Sequence, residues 1–201
     1  MRPTTLIRFA TAAAVVALAA VGVLAQTAQP AAPADKGAKY TAIAIDMDAP
    51  AGQVAQPIDI NIERWSTDAE KDRVMDTLME SGQAKLLAVI QSLPRIGTIH
   101  APGNVGWGLR YARHGLDQDG RDRVLIVADR PVSFAEAREQ PRSIDYPFTI
   151  IEMRIGSNSR GEGRLLFGAK MGIDKQTKTL VLENFGIQPI ALNDVRRQIP
   201  K

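Results

Sequence analysis

Apolar residues recur at every second position in one segment of this chain after another, and that period limits the fold more than any other feature. Ile58, Ile60 and Ile62 alternate with Asp59, Asn61 and Glu63, the pattern of a strand with one face on a core and the other toward water. Ile43, Ile45 and Met47 share a face of an earlier strand, and Pro50-Ala51-Gly52 lies between the two as a turn. Leu109 to His114 and Val124 to Asp129 flank Asp119-Gly120, a hairpin signal. Phe148 to Ile155, Arg164 to Ile173 and Thr179 to Phe185 read as a meander, and Ile190 to Val195 as a last short strand. The turns between them, Ser157 to Gly161 and Asp174 to Thr177, are too short for crossovers, so the pairing is antiparallel.

Between the second and third of these strands the period changes to that of a helix. Thr67-Asp68-Ala69-Glu70 has capping-box spacing, in which the Thr hydroxyl and the Glu carboxylate satisfy backbone N–H groups of the first turn. Val74, Met75, Leu78 and Met79 form an apolar stripe, and Gly82 is a stop. Leu86, Leu87, Val89, Ile90 and Leu93 form a second helix that Pro94 ends. The expected fold class is α+β: an antiparallel sheet or partly closed barrel of about seven to eight strands with a helical pair inserted after the second strand.

Residues 1–25 read as an export signal. Arg2 and Arg8 precede a run rich in Ala, Val and Leu that ends Val23-Leu24-Ala25, small residues at the positions a signal peptidase reads. The run is short and alanine-rich for a span of about 30 Å of hydrocarbon, and no membrane span is expected once it is cleaved. Residues 26–39 hold no large apolar side chain and read as a disordered tether; residues 40–201 read as a single domain. The expected location is periplasmic or secreted. With no cysteine, a disulfide framework, a thiol nucleophile and Cys-based metal sites are excluded. The net charge of +3 hints at nucleic acid, but removing residues 1–25 takes away Arg2 and Arg8 and no acid, leaving about +1, and the hint fades. The remaining charge is uneven: residues 40–82 are acidic and 83–201 basic. Either the two segments neutralise each other, or a basic face meets an anionic envelope partner.

Candidate chemistry is sparse. His100 and His114 are the two histidines, without zinc-ligand spacing or a Gly-x-Ser-x-Gly elbow. Asp117 to Asp122 resembles a calcium loop, but Gly115 stands where the first oxygen donor belongs, so a solvated hairpin tip is the better account. Ala101 to Gly108 is Gly-rich without phosphate-loop spacing, and reads as the bulged start of a strand with Trp107 packed inward. Glu63 and Glu152 lie on strands as possible paired carboxylates, although aromatic residues, at 5%, offer few sugar-stacking platforms. The densest polar group is the connection from Arg130 to Pro147. There Arg130, Arg138, Arg142, Asp145 and Tyr146 form the candidate binding set, since arginine forks match carboxylates and phosphates. No cofactor or metal is implied.

Ile62 to Ser66 (IERWS), the Thr67-Asp68 helix start, Arg130-Pro131, Pro141 to Glu152 (PRSIDYPFTIIE) and Leu182 to Val195 resemble the wording of a family of exported bacterial proteins of unknown function. The resemblance implies one exported domain without internal boundaries. It implies no activity and no site residues. The functional expectation is therefore a non-catalytic domain that is structural or binds an anionic or apolar ligand or an envelope protein partner. The alternative is an envelope hydrolase using carboxylates or His100, with the Arg-rich connection holding an anionic substrate.

Overall fold

The structure is a computed structural model, which describes residues 36–47, 52–103, 106–129, 147–174, 179–184 and 188–198. The elements in chain order are β1 (Lys36–Asp46), β2 (Val54–Arg64), α1 (Asp68–Ser81), α2 (Gln83–Ser92), β3 (Gly97–His100), β4 (Trp107–Leu109), β5 (Tyr111–Leu116), β6 (Asp122–Ala128), β7 (Phe148–Ile155), β8 (Arg160–Asp174), β9 (Thr179–Asn184) and β10 (Ile190–Gln198). All strand pairs are antiparallel, and the helical pair follows the second strand, as the sequence predicts. The described residues hold no helix long and apolar enough to cross a membrane.

The strands pair in the order β4-β3-β2-β1-β10-β8-β7-β6-β5, with β9 added beside β8. The two ends of this path, β4 and β5, are separated by Arg110 alone. The bent segment 107–116 therefore pairs with β3 through its first part and with β6 through its second, and the sheet nearly closes into a barrel. Arg110 N donates to Val127 O at 3.0 Å. Beyond the end of β2, Ser66 N donates to Ala112 O at 2.9 Å and Ser66 Oγ accepts from Ala112 N at 3.1 Å, which fastens the remaining seam. Bulges in β10, where Asp194 lies at φ 49°, and in β8, where Gly168 lies at φ 52°, bend the strands as closure demands. At Gly161 a β-carbon would overlap the Arg154 carbonyl of β7, so the tight β7–β8 approach requires glycine.

The ten strands exceed the expected seven to eight. The two unforeseen ones are β3, of four residues, and β4, of three; neither is long enough to display an alternation. The first strand begins at Lys36, inside the stretch read as tether. Its inward positions Ala38, Ala42 and Ala44 are small and surround Tyr40, so the usual large-apolar signal is missing. Ile43 and Ile45 share a face, but it is the outer, half-buried one, and Met47 is exposed.

The core has two parts. Inside the barrel, Tyr40 packs with Ile58, Ile60, Ile62, Ile99, Val124, Ile126, Ile151, Met153, Leu165, Phe167 and Leu192, with Trp65 and Trp107 against them. The interior is thus filled by the chain's own side chains, the usual state of a narrow barrel. Each fully buried isoleucine contributes about 2–3 kcal/mol relative to exposure. The second part lies outside the barrel wall. There Val74 and Leu78 of α1 and Leu86 and Ile90 of α2 cover Tyr111, Val127, Phe148, Ile150 and Leu166. This explains why β7 is buried on both faces over most of its length. Burial pushes the Tyr111 hydroxyl up to about 12. The α1 capping box forms as predicted: Glu70 N donates to Thr67 Oγ1 at 3.2 Å and Thr67 N donates to Glu70 Oε2 at 2.8 Å. Gly82, at φ 65°, separates the two helices.

Candidate functional site: an open polar groove on the outer face of β1 to β3

Because Ile58, Ile60 and Ile62 point inward, Asp59 and Asn61 stand on the outer face of β2. The register lines their neighbours up in two rows across four adjacent strands. Gln198, Lys39, Asn61 and Thr98 form one, and Arg196, Thr41, Asp59 and His100 form the other. Over the rows lies an open groove of about 340 Å³, lined by Lys39, Asp59, Asn61, Thr98, His100 and Gln198, with Tyr40 and Ile60 completing it. Asp59, Asn61, Thr98 and His100 are half-buried. None of the six polar side chains makes a hydrogen bond or ion pair with another described residue. Lys39 and Gln198 are exposed and the other four are partly open to solvent, so the donors and acceptors of this cluster face water and can be reached from outside the chain.

The outer face of β6 to β8 is arranged otherwise. Glu152 of β7, with a side chain only 5% exposed, accepts from Arg123 Nε at 2.7 Å and from Arg164 Nε at 2.8 Å. Burial pushes its carboxyl upward, but the hydrogen bonds and charges of Arg164 and Arg123 outweigh burial and hold it below the usual glutamate range. A larger hollow of about 590 Å³ beside the β5–β6 hairpin is lined by Asp117, Asp119, Arg123 and Arg154, each already in an ion pair. Arg121 lies 3.6 Å from Asp117 and 3.4 Å from Asp119, and Arg154 lies 3.9 Å from Asp117.

A third cluster closes one end of the barrel. His114 Nδ1 lies 3.1 Å from Asp122 Oδ1, and the His114 ring lies 4.3 Å from that of Trp65. Arg197 Nη1 reaches Asp122 Oδ2 at 3.5 Å. That contact joins β10 to β6, which are not neighbours in the sheet, so it crosses the barrel mouth.

Of the residues picked from the sequence, Arg130, Arg138, Arg142, Asp145 and Tyr146 lie outside the described residues, as do residues 1–25. His100 stands in the groove, His114 at the barrel mouth, Glu152 in its arginine clamp, and Glu63 3.8 Å from Arg95. The structure bonds no two of these four to each other. Asp117 to Asp122 is a hairpin tip in which Asp117 Oδ1 accepts from the backbone N–H groups of Asp119 and Arg121. The acidic and basic segments do meet: Asp68 pairs with Arg113 at 2.9 Å and Glu63 with Arg95. Lys39, Thr98 and Gln198 escaped the sequence reading. Each is unremarkable alone and acquires a neighbour only through strand register.

Fold and site together define a nearly closed antiparallel barrel with a helical pair on its wall and an open polar groove on the opposite part of its surface. Comparison with family models, curated proteins and solved structures finds no match.

Proposed function

We propose that this chain is an exported, non-catalytic binding domain that works through its outer surface, and that the groove over β1 to β3 is where it engages its ligand in the cell envelope. The observation that carries the reading is the set of six groove side chains without described partners. Glu152 and Asp122 are paired within the fold and the barrel is filled with Ile, Met and Phe, whereas the six groove side chains keep their hydrogen-bonding capacity toward solvent. The packed interior supports an outer site over an apolar ligand held within the barrel. Export rests on the sequence of residues 1–25 and on the resemblance to exported bacterial proteins.

Amine- and imidazole-directed labelling tests the reading. In the purified protein Lys39, His100 and the exposed Lys85 on α2 should all react. Labelled within its own cell envelope, the protein should show Lys39 and His100 protected and Lys85 still reactive, with the chain beginning at Gln26. Equal labelling of all three in both settings contradicts the groove reading. A chain that still carries residues 1–25 contradicts cleavage.

A further inference from the structure

We propose that the occupant of the groove is an uncharged polyhydroxylated chain, a segment of neutral glycan lying across β1, β2 and β3. The proposal rests on the reading of the groove as a binding site and names its ligand class.

Charge comes first. The lining holds one fixed cation, Lys39, and one fixed anion, Asp59, so it offers no net attraction to a polyanion or a polycation. Arg196, at the end of the second row, is held by both oxygens of Asp194, at 2.9 and 2.6 Å, and is not available as a fork for phosphate or carboxylate. The site is thus complementary to a neutral occupant.

Side-chain chemistry narrows the class. The apolar members of the lining, Tyr40 and Ile60, are each 1% exposed and belong to the barrel interior, so an apolar ligand would find no surface to cover. What the groove presents is a carboxylate, two carboxamides, a hydroxyl, an imidazole and an ammonium group. A carboxylate carries two adjacent acceptors, and a carboxamide an acceptor beside a donor, sets that match pairs of neighbouring sugar hydroxyls, each of which can donate or accept. A protein strand is a poor alternative. Both edges of β1 and of β2 are already paired, and strand addition requires a free backbone edge.

Spacing agrees. Adjacent strands lie about 4.8 Å apart, so the row from Gln198 to Thr98 crosses four strands over about 14 Å. The step from one strand to the next is close to the length of one sugar unit in an extended chain. Each unit could then meet one polar side chain per row.

The test is titration of the 15N-labelled protein with cellohexaose, laminarihexaose and chitohexaose, and separately with an alginate hexamer, followed by NMR. The proposal expects at least one neutral hexamer to shift the side-chain amide signals of Asn61 and Gln198. Asn61→Ala should then weaken binding about tenfold, as loss of a partnered hydrogen bond does. Shifts at Asn61 and Gln198 produced only by alginate overturn the neutral-glycan proposal and leave the groove reading standing. Shifts confined to residues around Arg123, Arg154 and Arg164 overturn both. No shift with any neutral hexamer overturns the proposal, and the labelling experiment above then judges the groove by itself.

Discussion

On the outer face of β6 to β8, Glu152 lies between Arg123 and Arg164 with both carboxylate oxygens bonded; on the outer face of β1 to β3, Asp59 lies between Thr41 and His100 in the register, with neither oxygen bonded to a described residue. Both carboxylates sit at outward positions of non-edge strands in the same sheet. The difference is in their neighbours. Arginine is long, and its planar fork spans the gap between strands, so an Arg–Glu–Arg row saturates itself. Asp, Asn and Thr are short and meet across strands without reaching one another. One face therefore uses its polar groups to hold the fold, and the other leaves them open to solvent.

Removal of Glu152 should have the largest effect on stability. Glu152→Ala leaves two guanidinium groups facing each other without the anion between them. Discounted for the half-exposure of both arginines, the loss should be about 2 kcal/mol, read as a lower urea midpoint at an unchanged slope. A loss below 0.5 kcal/mol, on the order of an exposed ion pair, would mean that the clamp is ornamental.

Acid should act on the Glu152 clamp and, separately, on the Arg64–Glu70 pair at the start of α1. The carboxyls of Glu152 and Glu70 are both held below their ordinary value of 4.5, Glu70 chiefly by its hydrogen bond from Arg64. A depressed carboxylate contributes stability that is fully present above its ordinary value and is lost as the pH falls through the lower folded one. Urea midpoints measured from pH 6 down to pH 3 should hold steady until about pH 5 and then decline, and Glu152→Ala should flatten part of the decline. A profile that rises toward acid would reverse the assignment.

Thr67→Ala touches neither face and calibrates both. It removes the hydroxyl that accepts from Glu70 N and should cost about 1 kcal/mol, measurable by thermal denaturation.

The helical pair was legible because its signals are local: a capping box within four residues, a stripe at helical spacing, and Gly82. The strands were legible where alternation runs long enough, as in β2 and β7. What stayed hidden depends on register. Glu152 stood out in the sequence, but its clamp joins residues 29 and 12 positions away, and no local pattern announces them. The groove is harder still. Its rows draw on β3, four residues long, on Lys39, from a stretch whose small inward residues read as tether, and on Gln198, beyond the last expected strand. The outward Asp59 and Asn61 were visible as the polar half of an alternation, but nothing in the sequence says which polar faces will find partners. That is settled by the length of the side chains that closure of the barrel brings alongside.

The β1–β3 face holds bonding capacity the fold does not use. The most direct measurement is urea unfolding of the triple variant Asp59→Ala, Asn61→Ala, Thr98→Ala beside Glu152→Ala. Surface changes without partners usually stay within about 0.5 kcal/mol each, so the triple variant should unfold close to the parent while Glu152→Ala falls well below it. If the triple variant loses as much stability as Glu152→Ala, those side chains belong to the fold, and the groove is not a site kept for a ligand.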